Sequence, residues 1–444
     1  MSDASPRTGR HEAHLRAGQR ARAFAAIIEA ARDALGLDDF FATDFVRDFS
    51  GVEALAQDRP FLRVQEYHDP DEQAVIDALV ATFVADTTRD LPAGCAVTHF
   101  GGTNPDFIDP HWGHSTGYLR GTLTIGDVGE EVGVGQLPEA LRVGLFAAPG
   151  RYETFGRSNF LYDPKVPIAI NRMSLKLQTP FPVPNEYAES GEANEIDLLM
   201  SEGVPAGDPQ QPDGQGFFFR DARQLLMVNE MKDGLLSAAE VLLDAKDAEV
   251  FRLWKERVFA QATDMLYSRP QTQTCWHGKW YFSAGPYRLG PGAMKFALAP
   301  LADERRGHVS IFDDPVAAHA ADFERMGEVG FRLMVQVATP QAVLSGPGDP
   351  PACVMAAEYT DLAWNTDQAP FVPVGTLTLA PSREPPADIH AVGFNAWNTP
   401  EAMRPLGQLF RARRYVHAAH RRARLAHSFK GHASGAESAC PFGR

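Results

Sequence analysis

The most constraining feature of this chain is a change of rhythm at Tyr118. From there it breaks into short apolar runs separated by Gly, Pro and Asp, among them YLRGTLTI, LRVGLFA, VPIAI and RMSLKLQ. Runs of that length, bounded by turn residues, fit strands of an antiparallel sheet, and their number predicts a barrel or a strongly curled sheet. A second set, WYFSAGPYRLG, AMKFALAPL, GFRLMVQVA and VPVGTLTLA, follows a segment of helical spacing from Ser237 to Tyr267. The expected order is therefore sheet, helical insertion, sheet. Upstream, Arg20 to Leu35 and Asp71 to Thr87 carry apolar residues every three or four positions, which predicts helices. Pro400 to Phe429, rich in Ala, Arg and Leu, predicts one or two more before a Gly/Ser tail. The class is α+β.

Charge narrows the partners. Acidic residues outnumber basic ones by 57 to 42, a net charge of -15, which disfavours a nucleic-acid backbone or an anionic membrane. Met1 to Arg20 contains no apolar stretch of signal or membrane-span length, so no membrane span and a cytoplasmic location are expected. Cys95, Cys275, Cys353 and Cys440 lie far apart without a CxxC pair, which argues against a zinc site or a disulfide framework. An apolar content of 44% in 444 residues is enough to enclose a bulky group.

Seven stretches occur in a telling order: GYLRGTL from Gly117, LRVGLFAAPGRYETFGRSN from Leu141, NRMSLKL from Asn171, GFFFRDARQLL from Gly216, PYRLGPGAMKF from Pro286, FNAW from Phe394, and RPLGQLFRARRYVH from Arg404. Together they resemble the catalase superfamily, in particular divergent bacterial catalase-related proteins that are also similar to hydroperoxide enzymes such as allene oxide synthase. The resemblance spans roughly Pro110 to Arg424. It implies an eight-stranded antiparallel β-barrel enclosing haem b, with N-terminal helices, a wrapping segment and C-terminal helices that carry the ligand to iron. The corresponding division is an N-terminal helical arm (1–109), the barrel with its helical insertion (110–390, insertion about 237–267), the wrapping segment and ligand helix (391–430), and a flexible tail (431–444).

On the proximal side, the resemblance implies Arg-x-x-x-Tyr with a further Arg seven positions on, the guanidinium favouring the tyrosinate. Two registers fit that spacing: Arg411, Tyr415 and Arg422, or Arg413, His417 and Arg424. Counting without gaps from RPLG puts His417 at the ligand position. Helix geometry agrees: Leu406, Phe410, Arg413, His417 and Arg424 share one face, while Tyr415 lies about 200° from His417. His417 is the preferred axial donor and Tyr415 the alternative. A neutral imidazole beside Arg413 gives iron less negative charge than a phenolate, so a reactivity different from catalase is expected.

The distal side should hold a histidine that moves a proton between the peroxide oxygens. The segment DPHWGHSTGYLRG offers His111, with His114 close behind. Ser158, in GRSN, falls where the family has a serine that orients this histidine. The family's distal asparagine has no counterpart; Asp213 or Gln215 is the stand-in, and Phe217 and Phe218 match an aromatic pair at the haem. Arg413, Arg424, Arg172 and Arg157 are expected to bind the haem carboxylates, because guanidinium pairs with carboxylate in a forked geometry.

The resulting expectation is a haem-dependent oxidoreductase that acts on hydrogen peroxide or an organic hydroperoxide, together with a small-molecule co-substrate. Its chemistry would be of the peroxidase, peroxygenase or hydroperoxide isomerase kind. A true catalase using Tyr415, or a haem-binding sensor or carrier without turnover, are the rival expectations. A homo-oligomer is compatible with the resemblance.

Overall fold

The structure is a computed structural model that describes residues 60–88, 114–126, 132–163, 168–202, 221–222, 225, 276–301, 327–345, 349–382 and 393–433, with side chains described outside 82–88, 114–117, 158–171, 202, 276, 420 and 423–433. Among these residues nine strands form one sheet: β1 His114–Ile125, β2 Gly150–Asp163, β3 Ile168–Pro184, β4 Glu192–Glu202, β5 Tyr281–Ser283, β6 Tyr287–Leu289, β7 Gly292–Pro300, β8 Val329–Val337 and β9 Phe371–Ser382. Neighbours run β5-β4-β3-β2-β1-β9-β8-β7, and a β5–β7 pairing closes the ring, with β6 added as a hairpin on β7. The result is an eight-stranded barrel in which every ladder is antiparallel.

Alternation along the strands explains the closure. Leu119 and Leu123 of β1 stand opposite Gly156 and Tyr152 of β2; Leu175 and Leu177 of β3 stand opposite Leu198 and Ile196 of β4. With Met294, Phe296 and Leu298 of β7 and Phe331, Leu333 and Val335 of β8 they form one continuous buried core, as expected of a barrel this size filled by side chains. Two glycines permit close backbone approach between β1 and β9. A Cβ on Gly121 would sit 1.8 Å from the Thr378 carbonyl oxygen, and one on Gly375 2.5 Å from that of Thr124.

Three helices surround the described barrel: α1 Glu72–Thr88, α2 Ala352–Glu358 and α3 Gln408–Ala433. Helix α1 lies one residue from the stretch the spacing predicts, and it packs on α3 through Val75, Ile76 and Leu79 against Ala412 and Val416. The chain from Pro400 onward forms a single long helix preceded by a short 3-10 turn at Glu401–Met403. That helix runs on to Ala433, three residues into the stretch expected to be a tail.

One strand expectation fails. LRVGLFA is not extended but makes 3-10 turns at Glu139–Leu141 and Gly144–Ala147, because Gly144 sits at φ 54°, which breaks a strand while Leu141, Leu145 and Phe146 still reach the core. The helices expected over Arg20 to Leu35 and Ser237 to Tyr267 lie outside the described residues. No described helix is long and apolar enough to cross a membrane.

Candidate functional site

Register brings several candidate positions to one end of the barrel. Gly117 of β1 pairs with Ser158 of β2, Ser158 with Met173 of β3, and Arg172 with both Asn159 of β2 and Ser201 of β4. His114 opens β1 at the same end, opposite Phe160. For His114 and Ser158 the backbone alone is described; His111, Asp213, Phe217 and Phe218 lie outside the described residues, as does the side chain of Arg424.

Helix α3 is carried to this end by charged and polar staples. The Asp197 carboxylate of β4 accepts from Lys176 Nζ of β3 at 2.7 Å, from the Asn395 backbone N–H at 2.9 Å and from Asn398 Nδ2 at 2.7 Å. The FNAW segment is thereby pinned to the barrel wall, where Phe394 stacks on Phe155. Trp397 then donates its Nε1–H to the Phe410 carbonyl at 2.7 Å, while Arg404 and Arg414 lie over its ring at 5.8 and 4.8 Å.

A second staple holds the start of α3. Gly407, at φ 90°, passes so close to α2 that a Cβ would lie 2.6 Å from the Ala357 carbonyl oxygen. The Glu358 carboxylate at the end of α2 then caps the helix, accepting from Gln408 N–H at 2.9 Å. Arg411 is buried among three carboxylates: Nε and Nη2 donate to Glu72 at 2.5 and 2.8 Å, Nη1 to Glu66 at 3.0 Å, and Nη1 and Nη2 to Glu358 at 3.1 and 3.0 Å. Arg404 also pairs with Glu66. These contacts raise the Arg411 pKa in spite of its burial.

The two registers of α3 consequently differ in surroundings. Arg411 is committed to the carboxylates, Tyr415 is 47% exposed and Arg422 is exposed. His417 is buried at 6% exposure, four residues after Arg413 and so on the same face. The Arg413 guanidinium lies over the Phe410 ring at 5.3 Å, and that ring meets Tyr287 edge-on at 5.2 Å. Tyr287 is 1% exposed, and its hydroxyl has no hydrogen-bond partner among the described residues.

Charge is concentrated here. Burial and the neighbouring Arg413 pull the Arg172 pKa down to about 9, and burial also lowers Arg413. Burial raises Tyr287, against the opposing pull of Arg413. The structure therefore gathers Arg172, Arg413 and Tyr287, with His417 one helical turn beyond Arg413. Arg157 is buried in β2 at 2% exposure, opposite Tyr118 and Ser174. Tyr287 escaped sequence reasoning because PYRLG reads as ordinary strand; only its place in a motif beside the barrel signalled it.

No family model matches the chain, and no curated protein matches it.

Proposed function

We propose that this barrel end binds haem b, with His417 donating to iron, and that the protein is an oxidoreductase of the catalase fold acting on hydrogen peroxide or an organic hydroperoxide. The residues present fit the group on its proximal side. Among the described residues there is no set of three or more His, Cys, Asp or Glu able to hold a bare ion, but haem asks the protein for a single axial donor. His417 is a buried imidazole, and buried Arg157 with partly buried Arg172 and Arg413 provide cations suited to haem carboxylates. Tyr415, half in solvent on the other face of α3, is not a comparable donor.

Haem, when bound, supplies the iron that activates the peroxide O–O bond. The chain holds and tunes it. Helix α3, stapled at Arg411 and Trp397, would fix the imidazole of His417 against the barrel, with the Arg413 cation one turn earlier making that imidazole a weaker donor than a phenolate. His114 or His111 would move the proton between the peroxide oxygens, with Ser158 orienting the imidazole and Asp213 as a further proton group.

The observation that carries this reading is the burial of His417 on the Arg413 face of a helix anchored at both its start and the FNAW segment. The test is optical titration of the full chain with haem. A Soret band with histidine-type ligand-field features is expected, lost or displaced in His417→Ala. Oxygen release, peroxidase turnover and fatty-acid hydroperoxide consumption then sort the reaction; haem binding with silence in all three would leave a sensor or carrier. Absence of any Soret band would end the proposal.

A further inference from the structure

The connector between α2 and β9, residues 359–370, is fastened to the barrel by side chains of β7 and β8. Lys295 and Gln336 are register partners on those strands, and both alternate with the residues that fill the barrel, so they face away from its core. Lys295 Nζ donates to the Leu362 carbonyl and lies 4.9 Å from the centre of the Trp364 ring. Gln336 Nε2 donates to the Trp364 carbonyl at 3.2 Å and to the Ala369 carbonyl at 2.8 Å. Asn365 N–H adds a bond to the Ala342 carbonyl at 3.1 Å. The surroundings are apolar: Trp364 is 1% and Gln336 0% exposed, beside a cluster that includes Leu62, Ala338, Val343 and Ala369.

Two polar atoms of this network remain, and they are complementary. The Gln336 amide has one orientation, because its nitrogen faces two carbonyl oxygens and a reversed amide would set acceptor against acceptor. Its Oε1 is therefore a buried acceptor and Trp364 Nε1 a buried donor, and neither has a hydrogen-bond partner among the described residues. Lys295 cannot serve the indole, since an ammonium also only donates. What fits is a molecule that takes one hydrogen bond and gives one, which neither an anion nor a metal cation does. We propose that Gln336 Oε1 and Trp364 Nε1 form an internal site for one water molecule, which accepts from the indole N–H and donates to the carboxamide oxygen. The bridge completes the fastening of the connector to β8. The connector begins directly after Glu358, which caps α3, so the water steadies the start of that helix from outside the barrel.

The test is the indole N–H spectrum of the full chain, with the Trp364 signal identified by its loss in Trp364→Phe. A cross-peak from the Trp364 indole proton to water is expected, on a proton that itself exchanges slowly because it is buried. The cross-peak should weaken several-fold or vanish in Gln336→Met, which removes the acceptor, and persist in Lys295→Met, which removes the exchangeable ammonium over the ring. No cross-peak in the native chain, an undiminished one in Gln336→Met, or one lost in Lys295→Met would each overturn the site. Should either variant not fold, a crystal structure of the native chain decides alone. A solvent peak within hydrogen-bond distance of both Gln336 Oε1 and Trp364 Nε1 is expected; no such peak, or direct contact between the two atoms, overturns the proposal.

Discussion

Arg411 and Arg413 are two residues apart on one helix, yet they meet opposite electrostatic environments. Arg411 points into Glu66, Glu72 and Glu358 and donates to all three; Arg413 lies over the Phe410 ring, and its charge helps lower the pKa of Arg172. A cation among anions is a clamp. Arg411 regains from its carboxylates more than burial takes away, so its pKa is raised where burial leaves that of Arg413 lowered.

The largest effect should come from breaking the clamp. Arg411→Met would leave the buried carboxylates of Glu72 and Glu358 without their main counter-charge, and a loss of about 3–5 kcal/mol is expected from removing one partner of such a group. Denaturant unfolding of the full chain measures it. A loss below 1 kcal/mol would mean that the two environments are not as different as their geometry states.

A smaller effect concerns pH. Burial pushes the Glu66 carboxyl up, but the hydrogen bond and charge of Arg404 and the charge of Arg411 outweigh it and hold the group below its ordinary 4.5. Its contribution is therefore present above 4.5 and fades as pH falls through the lower folded value. Glu358 has the opposite sign: burial lifts it above 4.5 despite Arg411, so its share declines as pH rises from 4.5 through that higher value. Clamp stability should peak in mildly acidic solution. Unfolding midpoints followed against pH are expected to show both limbs in the native protein, and Glu358→Gln should flatten the limb above 4.5 while keeping the one below it.

Much of the barrel was legible before the structure, and its gaps have physical causes. Strands β1, β7, β8 and β9 carry apolar cores between turn residues, and each lies where those runs predicted. Strand β4 was not anticipated, its apolar run being broken by Glu195 and Asp197; both pair with Lys176 of β3, which makes acidic side chains compatible with a buried wall. Helix α2 was missed because ACVMAAE is buried all round and shows no polar face. The clamp could not be read at all, since Arg411 lies 345, 339 and 53 positions from Glu66, Glu72 and Glu358. The contrast between buried His417 and exposed Tyr415 on α3, by comparison, agrees with the helical period, whereas the burial of Arg411 on the Tyr415 side, which the same period turned outward, does not.

The smallest expected effect tests that last point. Tyr415 is exposed at 47% and lies about 200° around the helix from His417, so its hydroxyl faces solvent and not the barrel. Tyr415→Phe should change stability by no more than about 0.5 kcal/mol, the range of surface substitutions, and should leave the optical spectrum of a haem-loaded chain unaltered. His417→Ala, removing a buried side chain on the opposite face, should change both. If the two variants exchanged behaviour, α3 would have to be turned by half its circumference, Arg411 would leave its carboxylates, and the contrast between Arg411 and Arg413 would fall with it.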